Sequence, residues 1–274
     1  MPRTRAHDAD LVILGAGCAG LALAARLAAG DSGLRVIAVD ARTDYADDRS
    51  WCFWAGPDHE LRSIVHREWS TWAYQAEGGP AHEHGVDGTT YQYIRGADFY
   101  ARCRAIIDAS PTVDAADATP SIPGVVVAGA AGGALRDASG YGFARIQAWA
   151  RDCADRLARG EAPVGHPPEP FVRRQMDRIF LQALRAHPER TADYFAAMAR
   201  GVAPARLLRF LTDRARLSDL LAIIASLPLL PFLAQLPDRS RSLATSSARR
   251  PDLVRALPRV QRVPTGDALE QVAS

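Results

Sequence analysis

One stretch near the start constrains the fold more than any other. DLVIL at 10–14 is a short apolar run of the kind buried in a parallel sheet, GAGCAG at 15–20 follows it directly, and helical periodicity runs from Leu21 to about Ala29. LRVIAVD at 34–40 then reads as a second strand ending on Asp40. Strand, glycine turn, helix and strand in that order predict a βαβ unit. The glycines follow G-x-G-x-x-G. Gly15 permits the tight turn, Gly17 lets backbone approach a pyrophosphate, and Gly20 lets the helix pack close to the sheet. The positive end of the helix favours an anion there. Asp40 stands about 20 residues beyond the last glycine, where a carboxylate accepts hydrogen bonds from an adenosine ribose. Dinucleotide binding by Gly15, Gly17, Gly20 and Asp40 is the expectation.

A second glycine cluster, GAAGGALRDASGYGF at 129–143, sits in a similar frame. PGVVVAGAAGG at 123–133 reads as another buried strand, and a helix is expected from about Phe143 to Ala158, because Phe143, Ile146, Ala150, Cys153 and Leu157 share one face and Gly160 can cap it. Backbone N–H groups of such a turn can hold a second part of a cofactor, here the ribityl and isoalloxazine side of a flavin. Gly129, Gly132, Gly133, Ser139, Gly140 and Tyr141 are the candidates, with a plain glycine-rich loop as the competing reading.

The remaining chain divides by composition. From Tyr45 to about Ala118 the pattern is irregular apart from an expected helix at Ala97–Ala109. EAPVGHPPEP at 161–170 breaks the chain, and three or four amphipathic helices are expected near 171–186, 189–200, 204–212 and 218–226. LLAIIASLPLLPFLAQL at 220–236 is apolar but interrupted by Pro228 and Pro231, and it falls short of the roughly 20 residues of a spanning helix. It is expected to form a buried or amphipathic helix and a turn able to rest on a bilayer surface. The organisation read from this is a cofactor domain at 8–160, a helical region at 161–236, and an Arg-, Ser- and Pro-rich flexible tail at 237–274.

Composition removes whole classes of chemistry. All 33 basic residues are arginine, so Schiff-base catalysis, a pyridoxal phosphate anchor and a P-loop lysine are excluded. The formal net charge of +2 gives no reason to expect a nucleic-acid partner. Cys18, Cys52, Cys103 and Cys153 form no CxxC pair and read as thiols in a reducing cytoplasm. The first ten residues lack a signal peptide's apolar core, so export is not expected. His82-Glu83-His84 could ligate a metal from one strand face, but no third ligand is visible and none is expected.

DDRSWCFWAG at 47–56 sets two tryptophans, a phenylalanine and a cysteine behind Asp47, Asp48 and Arg49. Together with GAGCAG, Asp40 and GGALRDASGYGFARIQAW, it carries a resemblance over most of residues 8–236 to the lycopene beta-cyclases of the bacterial carotenoid pathway. These are flavoproteins, and the resemblance implies an α/β, Rossmann-like FAD/NAD(P)-binding fold of glutathione-reductase type with a C-terminal helical bundle. It implies FAD, in reduced form and with NAD(P)H as a possible reductant, and a carotenoid substrate met in peripheral contact with the cytoplasmic membrane. The DDRSWCFW segment, including Arg49 and Trp51, would lie by the flavin and an apolar substrate tunnel. Trp51, Phe53 and Trp54 then contact a polyene or a cation, or they are core aromatics.

Family members are longer, and comparison places the shortfall near residues 118–120, where part of the substrate sheet, a further strand of the cofactor domain and a Phe-Leu-Glu-Glu-Thr segment with the catalytic acid would be. That segment does not occur here. No catalytic acid is assigned; Asp137 and Glu83 are the nearest guesses, and surface positions the plainer reading. The expected function is acid-base cyclisation of the linear ends of lycopene to β-ionone rings with FAD as a non-redox cofactor. The alternatives are an inactive flavin-binding relative and an FAD-dependent oxidoreductase.

Overall fold

The structure, a computed structural model, describes residues 9–30, 32–42, 44–116 and 126–235. The βαβ unit is present as β1 (Leu11–Leu14), α1 (Cys18–Ala29) and β2 (Val36–Val39), with β1 and β2 parallel and Leu11 opposite Val36. Helix α1 starts three residues earlier than the apolar periodicity suggests, because the GAGCAG turn itself carries its first residues. Seven residues of α1 are buried, among them Gly20, Ala22, Ala24 and Ala25. Such small side chains let neighbouring helices approach closely.

The segment after Tyr45, irregular by pattern, folds into strands. They are β3 (Ser50–Ala55), β4 (Arg67–Trp69), β5 (Thr71–Tyr74), β6 (His82–Gly85) and β7 (Thr90–Arg95), followed by α2 (Gly96–Asp108) and β8 (Val113–Ala116). Strands β3, β7 and β4 make an antiparallel sheet with β7 in the centre, and β5 and β6 pair as a hairpin. Strands β4, β6 and β7 carry arginine, glutamate or histidine, β5 is only four residues long, and the apolar run Trp51–Ala55 of β3 has no period-two alternation to mark it as a strand. Strand β8 joins β2 in parallel and gives the order β1-β2-β8.

Helix α3 (Phe143–Ala158) has the expected bounds, and α1 packs between it and α2 over one face of the parallel sheet. Ala24 of α1 and Ala150 of α3 are completely buried there. The opposite face is open at β1, where Val12 and Leu14 are 39% and 40% exposed. The strand expected at 123–133 is not formed in its described part. Val126 and Val127 are exposed, and the chain turns at once through Gly129, whose φ of 67° belongs to the left-handed region. A Cβ at Gly132 would collide with the Val127 carbonyl, so this run is spent on the turn rather than on a strand. The expected shortfall near 118–120 and the tail at 237–274 lie outside the described residues.

The helical region follows as α4 (Phe171–Ala186), α5 (Thr191–Gly201), α6 (Pro204–Leu211), α7 (Leu217–Ser226) and α8 (Leu229–Leu233). The unexpected α8 tolerates Pro231 because a first-turn residue needs no intrahelical N–H partner. Met198, Val202, Leu207 and Ile223 form its core, with Tyr74 of β5 packed against them. His84 Nε2 of β6 donates to the Ala199 carbonyl at 2.8 Å, tying the hairpin to α5.

Candidate functional site

The first glycine turn has the geometry of a phosphate cradle. Gly15 adopts φ 96°, the space where a Cβ would stand at Gly15 and Gly17 is open, and a Cβ at Gly20 would overlap the Gly15 carbonyl. Gly17 caps α1 without any side-chain hydrogen bond, so the first-turn N–H groups face that open space. Asp40, one residue past β2, accepts from Ala16 N–H at 2.6 Å through Oδ2 and from Arg42 N–H at 2.8 Å through Oδ1. Each oxygen keeps a second lone pair for an outside hydroxyl. These residues fit a bound dinucleotide.

Arg42, which sequence reasoning passed over, links this turn to the DDRSW segment. Its guanidinium donates to the Ala16 carbonyl and to Asp48 Oδ2, each at 3.3 Å, and lies 4.3 Å from the centre of the Tyr45 ring. Asp48 Oδ1 accepts from Tyr100 at 3.0 Å. Asp47 accepts from Arg95 Nε at 3.0 Å and from Ala97 N–H at the start of α2, and the Arg95 bond foremost holds its carboxyl below the usual range. The two aspartates therefore fasten the strand to its surroundings. Arg49 is exposed, and its carbonyl accepts from Gly96 N–H at 2.8 Å.

Alternation along β3 divides the aromatic wall. Trp51 and Phe53 point toward the helices, both near Phe143, with ring centres 5.3 and 5.2 Å away, and Trp51 also meets Phe99 and Tyr100 edge-on. Trp54 points the other way, 4.6 Å from the Tyr91 ring, 5.5 Å from Tyr141 and 5.6 Å from Trp72. Burial raises the Tyr91 and Tyr141 phenols and pushes Tyr74 up to about 12. They are neutral donors and feeble acids near neutral pH.

The second glycine cluster meets the first. A Cβ at Gly129 would lie 3.3 Å from the Ala19 Cβ in the first turn of α1, and Gly129 N–H donates to His166 Nε2 at 3.0 Å. Gly133 and Gly140 take φ values of 86° and 68°, and Arg136 and Tyr141 close the loop by backbone at 3.0 Å. Ser139 and Tyr141 form part of the wall of an apolar cavity of about 480 Å³ whose other side is Phe180, Phe195, Leu211 and Phe232. Arg136 and Asp177 also line it and pair in the interior through two hydrogen bonds of 3.1 and 3.0 Å. Arg136 further donates to the Phe210 carbonyl at 2.7 Å.

The sequence pattern of the family described as Lycopene cyclase protein matches residues 10–105 and 104–236. This chain belongs to the lycopene cyclase family. No curated protein matches it. Solved structures with partial likeness include PqsL, a probable FAD-dependent monooxygenase from Pseudomonas aeruginosa, at 20% identity and TM-score 0.31 over 40% of this chain and 32% of that one. The same protein in complex with 2-aminobenzoylacetate gives 20% identity and TM-score 0.32 over 40% and 33%. The chain thus spans about a third of the length of the solved structures it matches.

In this member of the lycopene cyclase family, the two glycine clusters and Asp40 come together, while Trp51 sits in the aromatic core and Arg49 on the surface. Asp137 and Glu83 are exposed, and neither lines the cavity. His84 is buried against α5 and His82 is half-buried; among the described residues no group of three ligands gathers. Arg136 and Asp177 carry no local signal, since 41 residues separate them and only folding pairs them.

Proposed function

We propose that this chain is a lycopene cyclase-type isomerase, closing the linear ends of lycopene into β-ionone rings by acid-base chemistry with FAD as a cofactor that undergoes no net redox change. One observation carries the reading: a single loop, Gly129–Tyr141, touches the dinucleotide cradle at Ala19 and walls the apolar cavity at Ser139 and Tyr141. The cofactor and a hydrocarbon would therefore meet at that loop.

Gly15, Gly17 and the α1 N-terminus would hold the pyrophosphate, Asp40 the adenosine ribose, and Gly129, Gly132, Gly133, Ser139, Gly140 and Tyr141 the flavin side. When bound, a flavin kept reduced by NAD(P)H would supply negative charge to favour a cation. Cyclisation requires protonation of a terminal double bond, stabilisation of a tertiary carbocation and removal of a ring proton. The apolar wall would exclude water from the cation, and the face of Tyr141 on that wall would favour positive charge beside it. Substrate of this kind dissolves in bilayers, which places the work at a membrane surface. No helix among the described residues is long and apolar enough to cross one.

A second reading has its own observation. The carboxylate on the cavity wall, Asp177, has both oxygens taken up by the two-pronged bond to Arg136, an internal tether rather than a group left for a substrate. That favours a flavin-binding relative without cyclase activity. Expression of the full chain in lycopene-accumulating bacteria, with pigment analysis and flavin content of the purified protein, separates the readings. Cyclised carotenes support the isomerase. Unchanged lycopene beside folded, flavin-loaded protein supports the relative, and oxidised carotenoid formed at the expense of NAD(P)H would mark an oxidoreductase.

A further inference from the structure

Helices α7 and α8 carry an apolar ridge to the surface. Leu217, Leu221, Ile224, Leu229, Leu230 and Leu233 are each between 44% and 81% exposed. Leu217, Leu221 and Ile224 recur on one side of α7, whereas Asp219 and Ile223 fill its buried side. From Leu220 to Gln235 there is no charged residue. Soluble proteins rarely leave such a contiguous apolar patch in water without a partner.

Two further features identify the partner. Ile224, Leu229 and Leu233 belong both to the ridge and to the wall of the cavity, so the ridge is the cavity's rim. At the α7 N-terminal end, Arg214 and Arg216 are exposed, while the adjacent acids are engaged: Asp213 with Arg145 and Arg173, Asp219 with Arg209 and Arg206. The ridge is thus bordered by available positive charge. A second copy would bring arginines and no exposed acid from this stretch, whereas an anionic lipid surface offers both acyl chains and negative headgroups.

We infer that the α7–α8 ridge is the face by which this chain rests on an anionic phospholipid bilayer. Ridge leucines enter the acyl boundary, Arg214 and Arg216 meet the headgroups, and the cavity rim opens into the membrane. The inference rests on the reading of the cavity as a hydrocarbon site, for which that orientation is the route of entry.

The test is co-sedimentation of the full chain with vesicles of phosphatidylcholine alone or mixed equally with phosphatidylglycerol, without any carotenoid. Sedimentation with the mixed vesicles that weakens with salt is expected. Leu217→Glu and Leu230→Glu, at exposed positions outside the cavity wall, should each lower the partition at least about tenfold. Arg214→Gln should lower it about fivefold on mixed vesicles and leave residual binding to neutral ones unchanged. Circular dichroism checks that each variant is folded. Wild-type protein left in the supernatant, or folded glutamate variants that sediment like wild type, would overturn the inference. So would a wild-type dimer that becomes monomeric in Leu230→Glu, since a second copy would then cover the ridge. Vesicle binding without lycopene conversion in cells defeats the cyclase reading alone; conversion of detergent-dispersed lycopene without vesicle binding defeats the docking face alone.

Discussion

A methyl group at residue 20 would overlap the Gly15 carbonyl, and because the obstacle is backbone at the strand-to-helix turn, neither side can retreat cheaply. Gly20→Ala is expected to destabilise the chain by about 3 kcal/mol, near the upper end of overpacking effects, measured by urea unfolding. His166 gives a second test at this scale. Its Nε2 can accept from Gly129 N–H only while the imidazole is neutral, and burial first, then the charge of Arg145, lower its pKa. A lowered pKa means that the unfolded chain binds the proton more readily. The stabilisation is therefore complete above the ordinary imidazole value of about 6.5 and fades as pH falls through it toward the folded value. The urea midpoint should decline over that window, and His166→Phe should show a flatter profile. Equal slopes would remove His166 from the account.

Whether an element was legible depended on what its pattern could encode. Helices α3 and α4 were readable with their bounds because one apolar face recurs every three or four residues between a clear start and stop. The strands from β3 to β7 were not, since each is short and owes its burial to partners elsewhere. β3 shows this best: two aromatics face the helices and the third faces Tyr91 and Tyr141, so the run DDRSWCFW gives no sign of which ring goes where. The valines before Gly129 erred in the other direction, an apolar run that the turn claimed.

Across the whole molecule, the Gly129–Tyr141 loop and the helical region are held together by Arg136 and Asp177, whose side chains are 1% and 3% exposed. Around them, Arg145 reaches Glu169 and Asp213, and Arg173 donates to Asp213 at 3.0 Å. Removing Arg136 takes away the counter-ion of a buried carboxylate, and removing Asp177 leaves Arg136 with the longer ion pair to Asp213 at 3.8 Å. Asp177→Leu and Arg136→Met should each cost about 3–5 kcal/mol, while the double variant Arg136→Met with Asp177→Leu should recover much of that loss. Denaturant titrations of the two single variants and this double variant check the prediction; losses that simply add would show that the pair is not coupled.

The sequence alone determined the glycine turn and Asp40, the half of the candidate site whose geometry fits a dinucleotide. Glycine spacing and an acid at a strand end are local properties, and the backbone freedom and helix charge they exploit act within some thirty residues of chain. Exclusion of lysine chemistry was equally local. Tertiary structure decided the rest: that Gly129 meets Ala19, that Trp54 parts company with Trp51, that Arg136 finds Asp177, and that ridge and cavity share a rim. Each joins residues that are distant in the chain or distributed between the faces of one element, and such meetings are set by packing rather than by any spacing a sequence displays.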